Sequence, residues 1–270
     1  MRPFETAYAT LIQAIMAAGT KKQTRNGETK SLFGMSLEVD GLDLAFPIIQ
    51  GRMMYPKGVL GELAAMLRKP KCIGDFEAWG CNYWKKWADE DGSINVDYGN
   101  AWFDFDGVDQ IAQLKDKLKN NPNDRRMIIS GWRPHKIDEL SLPCCHYSYQ
   151  FYVADGRLSM IWTQRSVDMM IGLPSDIIFA AAWLIAIANE FGLKPGKIKF
   201  DLGDCHVYEE HYNGAYEYIS RVLLSGWRPQ RYATYRLTAP KGKDFCQFEP
   251  NDILLNIFDN AGPIKLELKA

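Results

Sequence analysis

With 270 residues, 47% of them hydrophobic and 24% charged, the chain can bury a sizeable core and lacks the composition of a disordered polymer. Its 32 basic and 33 acidic residues leave a net charge of −1, which argues against polymer nucleic acid as a partner, because a phosphate backbone demands a clear basic excess. A small anionic ligand needs only a few arginines and stays open.

The N-terminal segment has amphipathic spacing and no signal-peptide layout, so a first helix is expected over residues 4–18. Residues 19–31 are polar and rich in Lys and Arg and are expected to form a loop. Alternation at residues 32–39 and 42–48 predicts paired strands. Helical periodicity returns at residues 59–68, 76–87 and 108–119. Strand-like runs follow at residues 126–132, 147–153 and 158–162, with the turn Ala154-Asp155-Gly156-Arg157 joining the last two. Pro174 opens an apolar helix to Phe191, and Gly192 is a natural stop. Its longest apolar run, residues 177–188, is shorter than a bilayer span, so no membrane partner is expected. A strand is predicted over residues 197–202, a helix over 207–224, and short strands in the remainder. No repeat or linker divides the chain, so residues 1–270 read as one domain. Helices and strands mix without strict βαβ alternation, which points to α+β with a mixed sheet.

Six cysteines, at positions 72, 81, 144, 145, 205 and 246, show no zinc-like spacing and no Cys-x-x-Cys pair. Free thiols in a reducing cytoplasm, and no metal, are the expectation. An isolated cysteine is most often a small buried hydrophobe. Cys145 differs because it follows a proline-led turn, precedes His146 and starts a strand, so its sulfur can project from an element end. Nearby arginines would favour the nucleophilic thiolate there. Arg165 ends a buried-looking strand, where a charge requires a partner or an anionic ligand. Planar guanidinium groups suit phosphate oxygens. Arg25 lies in the polar segment, and Arg125 and Arg126 stand together before a strand. His206 and Tyr208 alternate, which puts both rings on one side of an extended segment or close together in a turn.

Taken in order, these motifs resemble the thymidylate synthase family over essentially the whole chain. Pro143-Cys144-Cys145-His146 is similar to its nucleophile segment and Gln164-Arg165-Ser166, followed by Asp168, to its phosphate-binding motif. Asp124-Arg125-Arg126 resembles its arginine pair, and Gly203-Asp204-Cys205-His206-Val207-Tyr208 its ribose-binding end. Arg25-Asn26-Gly27, Phe33-Gly34, Trp84, Trp87 and Tyr98-Gly99 match further blocks, Glu62 the catalytic glutamate, and Ile264-Lys265-Leu266-Glu267-Leu268 the closing tail.

The resemblance implies a three-layer α+β fold whose mixed sheet forms a homodimer interface, and a folate-dependent reaction on a pyrimidine nucleotide. Cys145 would add to C6, and C5 would attack the one-carbon unit of 5,10-methylenetetrahydrofolate, with Glu62 moving protons. Asp168, Tyr98, His146 and Asp176 complete the implied catalytic set. Arg25, Arg165, Ser166, Gln164, Asp176, His206 and Tyr208 would bind nucleotide, joined by Arg125 and Arg126 from the partner copy. Arg52, Tyr83, Trp84, Trp87, Asp168, Gly172 and Ser175 would line the folate side.

Departures from the family pattern bear on substrate and product. Asp176 stands where synthases carry Asn, whose amide faces O4 and N3–H of uracil. A carboxyl suits the 4-amino group and N3 of cytosine, and a mismatched amide would strand buried polar groups at about 1–3 kcal/mol each. An acid in the first turn of a helix is also favoured for its own sake. Ser175 replaces an aromatic beside the folate ring and could admit water, which favours hydroxymethyl transfer to dCMP. Cys144 replaces Pro, and Arg52 stands where Lys is common. Trp84, associated with methyl transfer, is retained, so a 5-methyltransferase on dCMP or dUMP is the alternative. An idle nucleotide-binding homologue is a third reading, opposed by the retention of Cys145, Glu62, Arg165 and Tyr208.

Overall fold

The computed structural model describes residues 3–269. Helix α1, Pro3–Ala18, buries Phe4, Tyr8, Ile12 and Ile15 along one face, as its spacing predicts. The segment expected to be a loop is instead a hairpin, β1 Thr20–Thr24 and β2 Gly27–Val39. All five residues of β1 are exposed, so it carries no apolar alternation for a sequence pattern to register. Its turn needs Gly27, whose φ of +125° disfavours a side chain. Residues 42–48 form no strand: Gly41 turns the chain, and Leu42, Phe46 and Ile48 are buried from an irregular segment.

Helix α2, Pro56–Met66, follows. The helix expected over residues 76–87 is broken into α3, Ile73–Glu77, and a 3₁₀ turn, Trp84–Trp87. Gly80, at φ +81°, ends the first piece. The short α4, Asn100–Phe103, leads to α5, Gln110–Asn120, whose start is capped by Asp109. Strand β3 covers only Ile128–Ser130, β4 His146–Ala154 and β5 Arg157–Asp168. Helix α6, Gly172–Glu190, then crosses to β6, Lys194–Tyr208, which is much longer than the predicted strand. The helix expected from residue 207 starts later, as α7, Tyr212–Ile219, and ends in a π turn, Ser220–Leu224. Strands β7, Tyr235–Leu237, and β8, Ile253–Leu255, form a separate small ladder.

The main sheet has six strands in the order β1-β2-β6-β5-β4-β3. Only β5 and β6 run parallel, joined through α6, because a parallel pair needs a crossover. The architecture is therefore α+β with a mixed sheet. Helix α6 is apolar nearly all round because it is buried nearly all round. It has the length and apolarity to cross a membrane, but 78% of that stretch is buried inside the molecule.

Much of the aromatic excess sits between α6 and the sheet. Trp102 and Trp183 stack at 4.5 Å, with Tyr149, Phe179 and Trp162 set edge-on around them. Each such burial contributes ~1.5–3 kcal/mol. The opposite sheet face is different: Phe33 is 84% exposed and Tyr152 65%. An open depression of about 540 Å³ lies on it, lined by Phe33, Met35, Tyr147, Arg165, Lys199 and Leu202 among others.

Candidate active site

Cys145 immediately precedes β4, where a proline-led turn delivers the chain into the sheet. Its backbone is held from two sides. The amide N–H donates to the Tyr98 hydroxyl, and the carbonyl accepts from the Arg165 amide at 2.9 Å. The Arg165 side chain reaches back over the same turn, donating from Nε to the Cys144 carbonyl at 2.8 Å and from Nη2 to the Pro143 carbonyl at 3.0 Å. It lies over the Trp132 ring, 5.2 Å from its centre. Burial pushes the Cys145 thiol up, while Arg165 and the Tyr98 hydroxyl pull it down. The arginine was expected to leave a thiolate; here desolvation outweighs it. Cys144 points the other way, 1% exposed and within the hydrophobic core, and its thiol is also pushed up by burial.

Two carboxyls share the cleft. Glu62, on α2, accepts from the Tyr83 hydroxyl and the Trp84 indole, both at 2.7 Å. Burial raises it to about 7 against those two donors. Asp176, in the first turn of α6, accepts from the Gln164 amide at 2.6 Å. Burial raises it to about 8, opposed by Gln164 and assisted by the negative charges of Glu62 and Asp168. Its other oxygen lies 3.9 Å from His146 Nε2. Burial pushes that imidazole down to about 3, so it is neutral. His146 is packed by Tyr98 and Trp162 at 4.5 and 4.3 Å, and its Nδ1 meets the Tyr149 hydroxyl at 2.6 Å. A carboxyl that keeps its proton can donate as well as accept.

Asp168 ends β5 and accepts from the Met170 and Ile171 amides at 2.8 and 3.1 Å, shaping the turn into α6. Gly172 opens that helix, where a Cβ would come within 3.5 Å of Asp168 and 3.9 Å of the Asp176 carboxyl. The Ser175 hydroxyl is turned back to the Ile171 carbonyl at 3.1 Å. Arg52 is 8% exposed and donates to the Met170 and Met53 carbonyls, with its Nε buried and without a partner. Trp84 stacks on Phe76 at 4.9 Å and meets Trp87 at 5.3 Å.

On the remaining side, Ser166 and Asp168 of β5 lie beside Asp204 and His206 of β6. His206 and Tyr208 share one side of β6, their rings edge-on at 5.1 Å, as their alternation predicts. Arg25 caps the β1–β2 turn, bonded to Asn26 at 3.2 Å. Arg125 and Arg126 are not gathered into this cluster. Both are exposed ahead of β3, and Arg126 makes a two-pronged pair with Asp124 at 3.0 Å. Among the described residues no three His, Cys, Asp or Glu side chains form a group that could hold a metal ion.

Sequence reasoning missed four contributors. Trp132 supports Arg165, Tyr149 holds His146, Trp162 donates to Gln164 at 3.1 Å, and the buried Asp97–Arg133 pair adjoins Tyr98 and Trp132 in sequence. Trp162 had a usable signal: it stands two residues before Gln164 on one strand, hence on the same face.

The family model described as thymidylate synthase matches residues 6–270, so it covers all of this cleft. That family uses methylenetetrahydrofolate as co-substrate and transfers its one-carbon unit to C5 of a pyrimidine. With the match running from residue 6 to residue 270, the chain belongs to the thymidylate synthase family.

Proposed function

We propose that the enzyme converts dCMP to 5-hydroxymethyl-dCMP with 5,10-methylenetetrahydrofolate and water, releasing tetrahydrofolate. The observation that carries the reading is Asp176, a carboxyl in the first turn of α6 that accepts from the Gln164 amide at 2.6 Å and that burial raises to about 8. At neutral pH it offers one O–H donor and one acceptor. Cytosine presents the complement, an unprotonated N3 and a 4-amino donor, whereas an amide at this position would suit uracil. Sites that hydrogen-bond a substrate edge reject the wrong edge because buried groups are left unpaired.

In this mechanism the Cys145 thiol gives its proton to solvent water as its sulfur bonds to C6, and C5 gains the electron pair. C5 attacks the folate methylene, then gives up its proton toward Glu62, poised near neutrality at about 7. The folate leaves, and an exocyclic methylene remains on the ring. Water adds to it, and the C6–S bond breaks to return the thiol. Ser175 supports hydration over reduction: it is small where the family pattern has an aromatic, and its hydroxyl is directed to Ile171. One observation favours methyl transfer instead, the retained Trp84 bonded to Glu62 at 2.7 Å.

Product mass and the folate separate the two. Hydroxymethyl-dCMP with tetrahydrofolate is the expected result. A methylated product with stoichiometric dihydrofolate, seen by its absorbance, would move the enzyme to the methyltransferase reading.

The enzyme acts as a homodimer of one-domain chains, with Arg125 and Arg126 of one copy serving the phosphate of the other. Support comes from the solvent-facing Phe33 and Tyr152 on the sheet and from Arg126, whose side chain is 83% exposed. Mixing Arg126→Ala and Cys145→Ser chains should restore activity above the sum of the two. No gain on mixing, or an active monomer in sedimentation, overturns the shared site.

A further inference from the structure

A neutral carboxyl discriminates between bases only if its two oxygens have fixed and different roles. With the proton on one oxygen it complements cytosine. With the proton on the other it complements uracil, whose N3–H donates and whose O4 accepts. Something must therefore decide which oxygen of Asp176 carries the hydrogen.

Resting on the reading of Asp176 as base selector, we propose that Trp162 is a positioning residue for base discrimination, fixing the polarity of Asp176 through Gln164. The indole Nε1–H can only donate, and it donates to Gln164 Oε1 at 3.1 Å. That commits the oxygen end of the amide. Gln164 must then present its Nε2 to Asp176 Oδ2, at 2.6 Å. Oδ2 is thereby the accepting oxygen, and the hydrogen is carried by Oδ1, because a hydroxyl oxygen accepts less well than a carbonyl oxygen.

The relay has no slack. Trp162 and Gln164 are neighbours on one face of β5, 0% and 2% exposed. The indole is wedged between His146, Tyr149, Phe179 and Phe200, with ring centres at 4.3–6.1 Å. His146, the other group at Asp176, faces Oδ1 from 3.9 Å. Burial keeps that ring neutral, so it adds no charge to pull the proton off. Without the indole N–H, the Gln164 amide is free to turn over and offer its oxygen to Asp176. Oδ2 would then donate, which reverses the polarity presented to the base.

The test is kcat/KM for dCMP and for dUMP with the intact enzyme, Trp162→Phe, Gln164→Met and the double variant. Each single variant should lower the dCMP-to-dUMP ratio about tenfold, the worth of one buried hydrogen bond. The double should fall no further, since both act along one line. A rate loss equal for both nucleotides, with the ratio unmoved, makes Trp162 a core residue only and overturns the relay. If Trp162→Phe does not fold, replacement of Trp162 by β-(3-benzothienyl)alanine keeps the shape and deletes only the N–H. An unmoved ratio in that protein overturns the proposal equally. The Asp176 reading fails separately: an intact enzyme that prefers dUMP ends it, whereas a relay moves the ratio whichever base is preferred.

Discussion

The two walls of the cleft treat the same functional group differently. On the α2 wall, Glu62 takes two donors, a phenol and an indole. On the α6 wall, Asp176 takes one, from Gln164. Burial raises both, to about 7 for Glu62 against two donors and to about 8 for Asp176, where one donor opposes it and the charges of Glu62 and Asp168 add to the rise. Near neutral pH the first can take a proton and return it, while the second keeps its own. In the proposed mechanism these two environments suit two roles, one in proton transfer and one in recognition.

In the proposed mechanism neither wall has anything to act on until Cys145 bonds to C6, so the largest expected effect belongs to that residue. Cys145→Ser should lose turnover by on the order of 10⁵-fold while still binding dCMP in a calorimetric titration. Cys144→Ser, altering a thiol packed in the core, should remain active. Substantial product from Cys145→Ser would remove the sulfur from the mechanism.

Changing Glu62 tests the proton-transfer wall alone. Glu62→Gln preserves an acceptor for Tyr83 or Trp84 and removes the titration, so kcat should fall by about 10²–10⁴. The ratio of dCMP to dUMP turnover should stay where it was. A large change in that ratio would break the division of labour between the walls.

Asp176→Asn tests the recognition wall. It exchanges two hydrogen bonds of one polarity for two of the other, so the dCMP-to-dUMP ratio should fall about 100-fold, with dUMP turnover rising outright. Parallel kcat/KM measurements on the two nucleotides decide it. A ratio unchanged by the substitution would leave Asp176 as an ordinary acid in the first turn of a helix.

How legible each part was follows from where its determinants lie. Cys145, Arg165, His206 and Tyr208 stand at strand ends with apolar runs beside them, and the structure brings them to one sheet region. The β1–β2 hairpin was hidden because β1 is polar on both faces and owes its form to pairing with β2. The long β6 was cut short because its polar end, residues 203–208, resembles the start of a helix, whereas β2 and β5 flank it throughout. Trp162 reads only as the end of a strand, and nothing in that pattern marks its N–H, which the fold aims at Gln164. The motif holding Arg125 and Arg126 was visible, but a partner for it is a matter between copies that spacing along one chain does not encode.

The smallest effect sharpens the comparison most, because it measures both carboxyls without substrate. An acid whose value is raised on folding binds a proton in the native state that the unfolded chain has already lost. Stability therefore falls as pH rises from the unfolded to the folded value. For Asp176 that window runs from 3.8 to about 8, and for Glu62 from 4.5 to about 7. Removing either titration removes its share of the loss. The Tm of Asp176→Asn minus that of the intact enzyme should climb between about pH 5 and about pH 8, then level. For Glu62→Gln the same difference should level sooner, near pH 7. In a chain of this size each kcal/mol corresponds to about 2–4 °C, so differential scanning over the pH range can follow each rise. A curve for Asp176→Asn that falls with rising pH would mean the carboxylate is stabilised by the fold, and the neutral base-reading acid would have to be given up.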